Sequence, residues 1–226
     1  MLFKRGFTLK GAIVEWSELE GLHDGETLWV LGSGASLNYI DGAFFNDKVT
    51  VSTNFSARTL GIHPHYAFSH YHHNAESLLA DSSCVVTIKH DTITQSLWQD
   101  EQPHHLVLAP TQYDKPPGSA WNPIASHKPG LDQIAYGSSS LHGAMHLAAH
   151  LGASYIMLVG ADCGFIDDAD NVDKYPKGIV AYPHALYNKH HKLMKDYLEA
   201  KYPVKIHSLN PFINLNLEGH TFKGVS

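Results

Sequence analysis

Short apolar runs recur along the chain and stop on glycine or small polar residues. Glu26 to Leu31 breaks at Gly32-Ser33-Gly34, Lys48 to Thr53 closes on Asn54, and Tyr66-Ala67-Phe68 leads into Ser69. Cys84 to Ile88 and His105 to Ala109 follow, and Tyr155 to Val159 ends at Gly160-Ala161-Asp162. Continuous apolar runs of this length, rich in β-branched residues, predict strands buried on both faces. Helical spacing appears between them. Phe55 to Ile62 is helix-compatible, and Leu141, Ala144, Ala148 and Leu151 share one face of a helix preceded by Ser138-Ser139-Ser140. Gly152 stands where a C′ glycine belongs. A longer helix is predicted from about Leu186 to Lys201, and Val204 to Leu209 reads as a last strand.

Strands alternating with helices predict an α/β domain: an open, mostly parallel, Rossmann-like sheet with helices on both faces. The whole chain, 1–226, reads as one such domain, with 1–25 as an N-terminal extension. Residues 110–136 hold Pro110, Pro116, Pro117, Gly118, Pro123, Pro129 and Gly130, a long loop or lid.

Composition narrows the function. With 16 Lys plus Arg against 22 Asp plus Glu and a formal charge of −6, there is no basic field to hold a nucleic-acid backbone. No apolar stretch is long enough for a membrane span, and the N-terminus lacks the apolar core of a secretory signal, so a cytoplasmic protein is expected. Cys84 and Cys163 have no CxxC partner and read as free buried thiols. The 18 histidines outnumber Lys plus Arg, so the surface charge should turn over as pH falls through about 6.5.

Ligands of open α/β sheets sit beyond the carboxyl ends of the strands. The residues directly after the apolar runs are Gly32, Ser33, Gly34 and Ser36, then Asn54, then Ser69 and His70, then Asp162, with Ser139 and Ser140 opening the central helix. Small hydroxyl and amide groups suit phosphate, ribose and base contacts, with the backbone N–H groups of the first turn aimed at an anion. The turn is neither GxGxxG, since Leu37 stands where the third glycine is wanted, nor a P-loop, since no lysine follows. An ordinary tight strand-to-helix turn is the alternative.

These motifs, in this order, resemble the bacterial sialyltransferases of glycosyltransferase family 42. They are equally similar to the related domains that include the methanogen 6-hydroxymethylpterin diphosphokinase. The likeness spans roughly residues 28 to 213, and Gly61-Ile62-His63-Pro64-His65-Tyr66 is nearer the second group. The sialyltransferase resemblance implies a CMP-sugar donor. Ser33, Gly34 and Ser36 fall on the family's N-G-P-S-L nucleotide motif, Asn54 on a nucleotide-contacting asparagine, Ser69 or His70 on a second one, Ser139 and Ser140 on its Thr-Ser, and Asp162 on its aspartate. Gly164 departs from the pattern, replacing a phosphate-binding tyrosine that Tyr175 or Tyr182 would then supply. The resemblance also implies a histidine base before the last helix, best matched by His184.

The expected reaction is transfer of a sugar from a CMP-type donor to a hydroxyl of a glycan or small-molecule acceptor. A hydroxyl is too weak an acid to attack unaided, and an imidazole base near neutrality contributes about 100- to 10,000-fold. Departing phosphate needs only hydrogen-bond donors, and no cofactor is required. The diphosphokinase alternative would need ATP and Mg²⁺, and a non-catalytic nucleotide-binding or assembly module is a third reading. The chain leaves open a homo-oligomer.

Other polar clusters read as structural. His142, His146 and His150 lie four apart on one helix face, expected to face solvent or a covering segment rather than a metal. His63, His65, His70, His72 and His73 form a cluster placed at the end of the third run, with His70 as the substrate contact. His190 and His191 are expected exposed. Asp167, Asp168, Asp170 and Asp173 lack the glycine and glutamate of a calcium loop and read as a solvated acidic loop.

Overall fold

The computed structural model describes residues 13–70, 74–88, 105–109, 134, 139–166, 168–175 and 184–209. Eight strands form one sheet: β1 (Ile13–Val14), β2 (Thr27–Leu31), β3 (Val49–Thr53), β4 (Tyr66–Ser69), β5 (Cys84–Ile88), β6 (His105–Ala109), β7 (Tyr155–Val159) and β8 (Lys205–Ser208). Their order is β1-β6-β5-β4-β3-β2-β7-β8, and every neighbouring pair is parallel. The helices are α1 (Ser56–Thr59), α2 (Ala75–Leu79), α3 (Ser140–His150) and α4 (His184–Lys201), with 3-10 turns at Trp16–Leu19, Ala35–Tyr39 and Gly42–Phe45. The open parallel α/β architecture read from the apolar runs is the architecture found.

The two faces are covered differently. Leu28, Val30, Val51, Tyr66, Phe68, Val86, Ile156, Leu158 and Ile206 meet α3 and α4 in the main core, through Met145, Leu147, Ala148, Met194 and Leu198. On the other face, among the described residues, short elements pack: Leu31 and Val159 meet Leu37, Phe45, Ala57 and Val172, while Ala67 and Val85 meet Ala75, Leu78 and Leu79. Alternation along β4 explains the split, since Tyr66 and Phe68 point to one face and Ala67 to the other. Gly152 ends α3 with φ +91°, the left-handed C′ position that favours glycine.

The span read as an N-terminal extension contributes to the sheet from Ile13 onward. Ile13 and Val14 pair with Leu106 and Val107, and Trp16 and Leu19 are buried in the core. A two-residue strand leaves no periodicity to read. The 110–136 lid falls outside the described residues except for Ile134, which is buried in the main core.

The histidine stripe of α3 is not solvent-facing: His142, His146 and His150 are all buried, beneath Trp16 and α4. His142 Nε2 lies 2.5 Å from His191 Nδ1, His146 Nε2 2.7 Å from Tyr202 Oη, and His150 Nε2–H donates to the Trp16 carbonyl at 2.9 Å. The His150 ring also stacks on Trp16 with centroids 4.0 Å apart. His190 and His191, expected exposed, are buried too. The partners that the buried stripe does find come from distant segments, while His142 Nδ1 is buried without a hydrogen-bond partner among the described residues. Burial pushes His191 down to about 3 and His142 well below the usual imidazole value, so these residues take no part in a charge turnover near pH 6.5. Among the described residues, no helix is long and apolar enough to cross a membrane.

Candidate functional site

After β2 the chain turns outward to β3, and after β7 it turns the opposite way to β8. The crevice beyond the carboxyl ends of β2 and β7 is therefore the topological switch point of the sheet. Three segments build it: the turn Gly32–Ser36, the end of β7 at Gly160–Asp162, and the loop 168–175.

Asp162 organises this crevice. Its carboxylate is 1% exposed and accepts from the Ser36 backbone N–H at 2.6 Å and from the Ser36 hydroxyl at 2.5 Å. Burial raises the Asp162 carboxyl above its ordinary range, against the two Ser36 hydrogen bonds that lower it. Gly32 N–H donates to the Val159 carbonyl at 2.7 Å and Gly34 N–H to the Gly160 carbonyl at 2.8 Å, carrying the β2–β7 pairing into the turn. A Cβ on Gly34 would overlap the Asp162 carboxylate, and one on Gly32 would overlap Gly160 O, so both positions need glycine for close approach. The N–H groups of Gly32, Gly34 and Ser36 are thus taken by the protein's own acceptors, the Val159 and Gly160 carbonyls and the Asp162 carboxylate, rather than aimed at a ligand. The Ser33 hydroxyl donates to Asn171 Oδ1 at 3.1 Å, and Val172 N–H donates to the Ser33 carbonyl at 2.8 Å.

The acidic loop is docked through Asn171 and Val172 while Asp168 and Asp173 stay exposed, as a solvated loop requires; Asp167 lies outside the described residues. Val172 is buried against Leu31, Leu37 and Val159, and Asp173 exchanges hydrogen bonds with Asn38 through its own N–H at 2.9 Å and Oδ1 at 3.3 Å. Neither Asn171, an amide among aspartates, nor Asn38, an amide between Leu37 and Tyr39, carries a local sequence signal for this contact.

A second polar cluster lies at the carboxyl ends of β3 and β4 and meets the start of α3. Asn54 accepts from the Ser69 hydroxyl at 2.7 Å and donates to Ser140 Oγ at 3.3 Å, and Ser140 Oγ lies 2.8 Å from His70 Nδ1. Asn74, also missed in the sequence, donates to Ser69 Oγ at 3.5 Å. Asn54 has φ +46°, an uncommon backbone for a residue other than glycine, and its N–H is tied to the Phe68 carbonyl at 2.9 Å. Ser139 caps α3 by accepting from Leu141 N–H at 3.2 Å. The Thr53 hydroxyl donates to the Leu31 carbonyl at 2.9 Å, linking the ends of β3 and β2. Asn54, Ser69, His70 and Ser140 are thereby brought together, and Ser36 joins Asp162 one strand away.

The remaining expected groups are distributed otherwise. Tyr175 packs its ring with the Leu31–Val159 cluster, and Tyr182 lies outside the described residues. His184 is the first residue of α4. Because β7 and β8 are parallel and α4 connects them, α4 runs against the strands and begins on their carboxyl side. The His63–His73 cluster does not hold together. His65, at the opening end of β4, has its Nδ1 3.3 Å from Thr50 N–H, and His63 Nε2 lies 3.4 Å from Ser83 Oγ, at the opposite end of the strand from His70; His72 and His73 fall outside the described residues. Both cysteines are free, and burial pushes each thiol up to about 12, so neither is a ready thiolate. Among the described residues, no group of three His, Cys, Asp or Glu side chains is arranged to hold a metal ion.

An eight-stranded all-parallel sheet with a polar, switch-point crevice defines a Rossmann-like α/β domain. The fold is similar to part of a protein of known structure. The chain is similar to the MAf glycosyltransferase from Magnetospirillum magneticum AMB-1, with a TM-score of 0.52 at 16% sequence identity. The similarity covers 96% of this chain and 37% of that one, so the chain spans well under half the length of its structural neighbour. No family model and no curated protein sequence matches the chain.

Proposed function

We propose that this domain is a nucleotide-sugar-dependent glycosyltransferase of the sialyltransferase-like kind, moving a sugar from a CMP-type donor to a hydroxyl of a glycan or small-molecule acceptor. The observation that carries the reading is the hydrogen-bonded cluster of Asn54, Ser69, His70 and Ser140 at the strand ends, one strand away from the Ser36–Asp162 pair. Amide, hydroxyl and imidazole groups on neighbouring strand ends suit a nucleotide, whose base and ribose offer several neutral donors and acceptors and whose phosphate is anionic. Glycosyltransferase function in the structural neighbour accords with it.

In this reading the nucleotide lies across the carboxyl ends of β2, β3 and β4, lined by Gly32, Ser33, Gly34, Ser36, Asn54, Ser69, His70 and Asp162. Since the N–H groups of the first turn are taken by the protein's own acceptors, the donor phosphate falls to Ser139, Ser140 and the positive end of the eleven-residue helix α3. His184, entering α4 from the same side of the sheet, takes the proton of the acceptor hydroxyl as that oxygen attacks the sugar carbon. Tyr175 or Tyr182 would add a phenol donor to the phosphate.

Incubation with a panel of CMP- and UDP-sugars tests the proposal. CMP is expected to raise the unfolding temperature, and a CMP-sugar to release CMP in a His184-dependent manner. Failure of every nucleotide to stabilise the protein would overturn it, and Mg²⁺-dependent conversion of ATP to AMP would place the domain with the diphosphokinases instead.

A further inference from the structure

β8 ends the sheet among the described strands, and its two sides are hydrogen-bonded by different partners. Lys205 N–H donates to the Ser154 carbonyl at 2.9 Å and Leu209 N–H to the Leu158 carbonyl at 2.7 Å, so residues 205, 207 and 209 present their main-chain groups to β7. In a parallel pair these groups alternate from side to side, and Ile206 therefore turns its N–H and C=O away from β7, to the open edge. Such an edge is a template on which a further strand can add. Leu209, directly after β8, is exposed and offers an apolar contact to a strand added there.

Two side chains of α4 already occupy the edge at Ile206. Its N–H donates to Glu199 Oε1 at 2.8 Å, and Lys195 Nζ donates to its carbonyl at 2.9 Å. Lys195 Nζ also donates to the same Glu199 oxygen at 2.6 Å, so the two charges satisfy each other as well as the strand. Residues four apart stand one above the other on a helix face, about 5–6 Å between Cβ atoms, which sets a donor and an acceptor side by side. One residue of β8 thus receives from α4 what a neighbouring strand would give it. The Ile206 side chain is fully buried in the core cluster that holds Met194 and Leu198, which fixes the strand against the same helix. Lys195 and Glu199 are themselves mostly covered, at 14% and 19% exposure. An incoming strand would have to break charge-assisted hydrogen bonds and bury both charges without partners.

We infer that Lys195 and Glu199 form an edge guard, which completes the hydrogen bonding of Ile206 and closes β8 to strand addition by a second copy of this chain. Two unguarded β8 edges would meet antiparallel about a two-fold axis. Self-association of the wild type, where it occurs, then uses another face. The guard is independent of the ligand that the strand-end crevice takes.

The double variant Lys195→Met, Glu199→Leu removes the guard and keeps good helix formers at both positions. Amide hydrogen exchange at Ile206 and sedimentation velocity are read together over about a hundredfold range of protein concentration. The wild-type Ile206 amide should be protected at every concentration. Glu199→Gln retains an oxygen that accepts, so its Ile206 exchange should stay within about threefold of wild type, whereas the dilute double variant should exchange about tenfold faster or more. As the double variant is concentrated, its mass should rise above that of the wild type and the protection of Ile206 should return. Wild-type exchange at Ile206 as fast as at an exposed amide would overturn the inference. So would a double variant that keeps the wild-type mass throughout, or one that associates while Ile206 goes on exchanging fast. If the double variant does not fold, Glu199→Leu alone frees the Ile206 N–H and carries the same expectations and the same contradictions.

Discussion

Ser36 holds the buried Asp162 carboxylate with two hydrogen bonds, from its backbone N–H at 2.6 Å and its hydroxyl at 2.5 Å, across 126 residues of sequence. The pair ties the turn after β2 to the end of β7. Ser36→Ala deletes the hydroxyl and leaves a buried carboxylate with one donor fewer. A loss of about 1.5–3 kcal/mol at neutral pH is expected, as for a hydrogen bond to a charged group, measured by urea unfolding. The pH sense follows from the raised carboxyl. The folded protein holds the Asp162 proton where the unfolded chain has released it, so the cost of the ionised form grows as pH rises from the ordinary carboxyl range through the raised value. The penalty of Ser36→Ala should therefore shrink toward acid.

Gly143 lies in the middle of α3, where alanine normally gains about 1 kcal/mol of helix stability. A Cβ there would overlap the ring of Phe68, which is fully buried on β4. The ring has no direction of retreat in a close-packed core, so the steric term wins. Gly143→Ala is expected to destabilise by about 1–3 kcal/mol. The same shift would move Ser140 and weaken CMP binding. A stabilised variant would show that α3 stands further from β4 than described.

The buried pair of His142 and His191 joins the two long helices. Folded His191 is pushed down to about 3 and His142 well below the usual value, while the unfolded histidines protonate near 6.5. Between those limits the unfolded chain binds more protons, so the contribution is present above about pH 6.5 and is lost as pH falls toward 3. The double variant His142→Gln, His191→Asn keeps amide groups near the two nitrogens and removes both titrations. Its stability should fall less steeply from pH 7 to pH 5 than that of the wild type; parallel curves would contradict the assignment.

These particular contacts also show where sequence reading stops. β5, β6 and β7 have the bounds their apolar runs predict, because a short buried strand needs nothing beyond its own residues to be recognised. Strand-end positions were legible for the same reason, so Asn54, Ser69, His70, Ser140 and Asp162 stood out before their partners were known. The partners were not legible. Nothing local to His142 announces His191, and nothing in the acidic loop announces that Asn171 and Asp173 will dock on Ser33 and Asn38. Ile13–Val14 is too short for alternation, and its place beside β6 is set by pairing alone.

His184 is assigned by its place in the chain and its entry into α4 on the carboxyl side of the sheet. A base that acts on the acceptor contributes to the chemical step and not to donor binding. His184→Ala should lower kcat by about 100- to 10,000-fold. CMP affinity should stay within about threefold of wild type, a difference of well under 1.4 kcal/mol. A parallel loss of both would move His184 from the base to the nucleotide site.

The most direct measurement is a crystal structure of the protein with CMP. The account predicts the nucleotide across the carboxyl ends of β2, β3 and β4, with its phosphate at the start of α3 beside Ser140 and His70 and its remaining polar edges toward Asn54 and the Ser36–Asp162 crevice. CMP bound elsewhere, or a crevice that stays empty at saturating CMP while the protein remains folded, would contradict it.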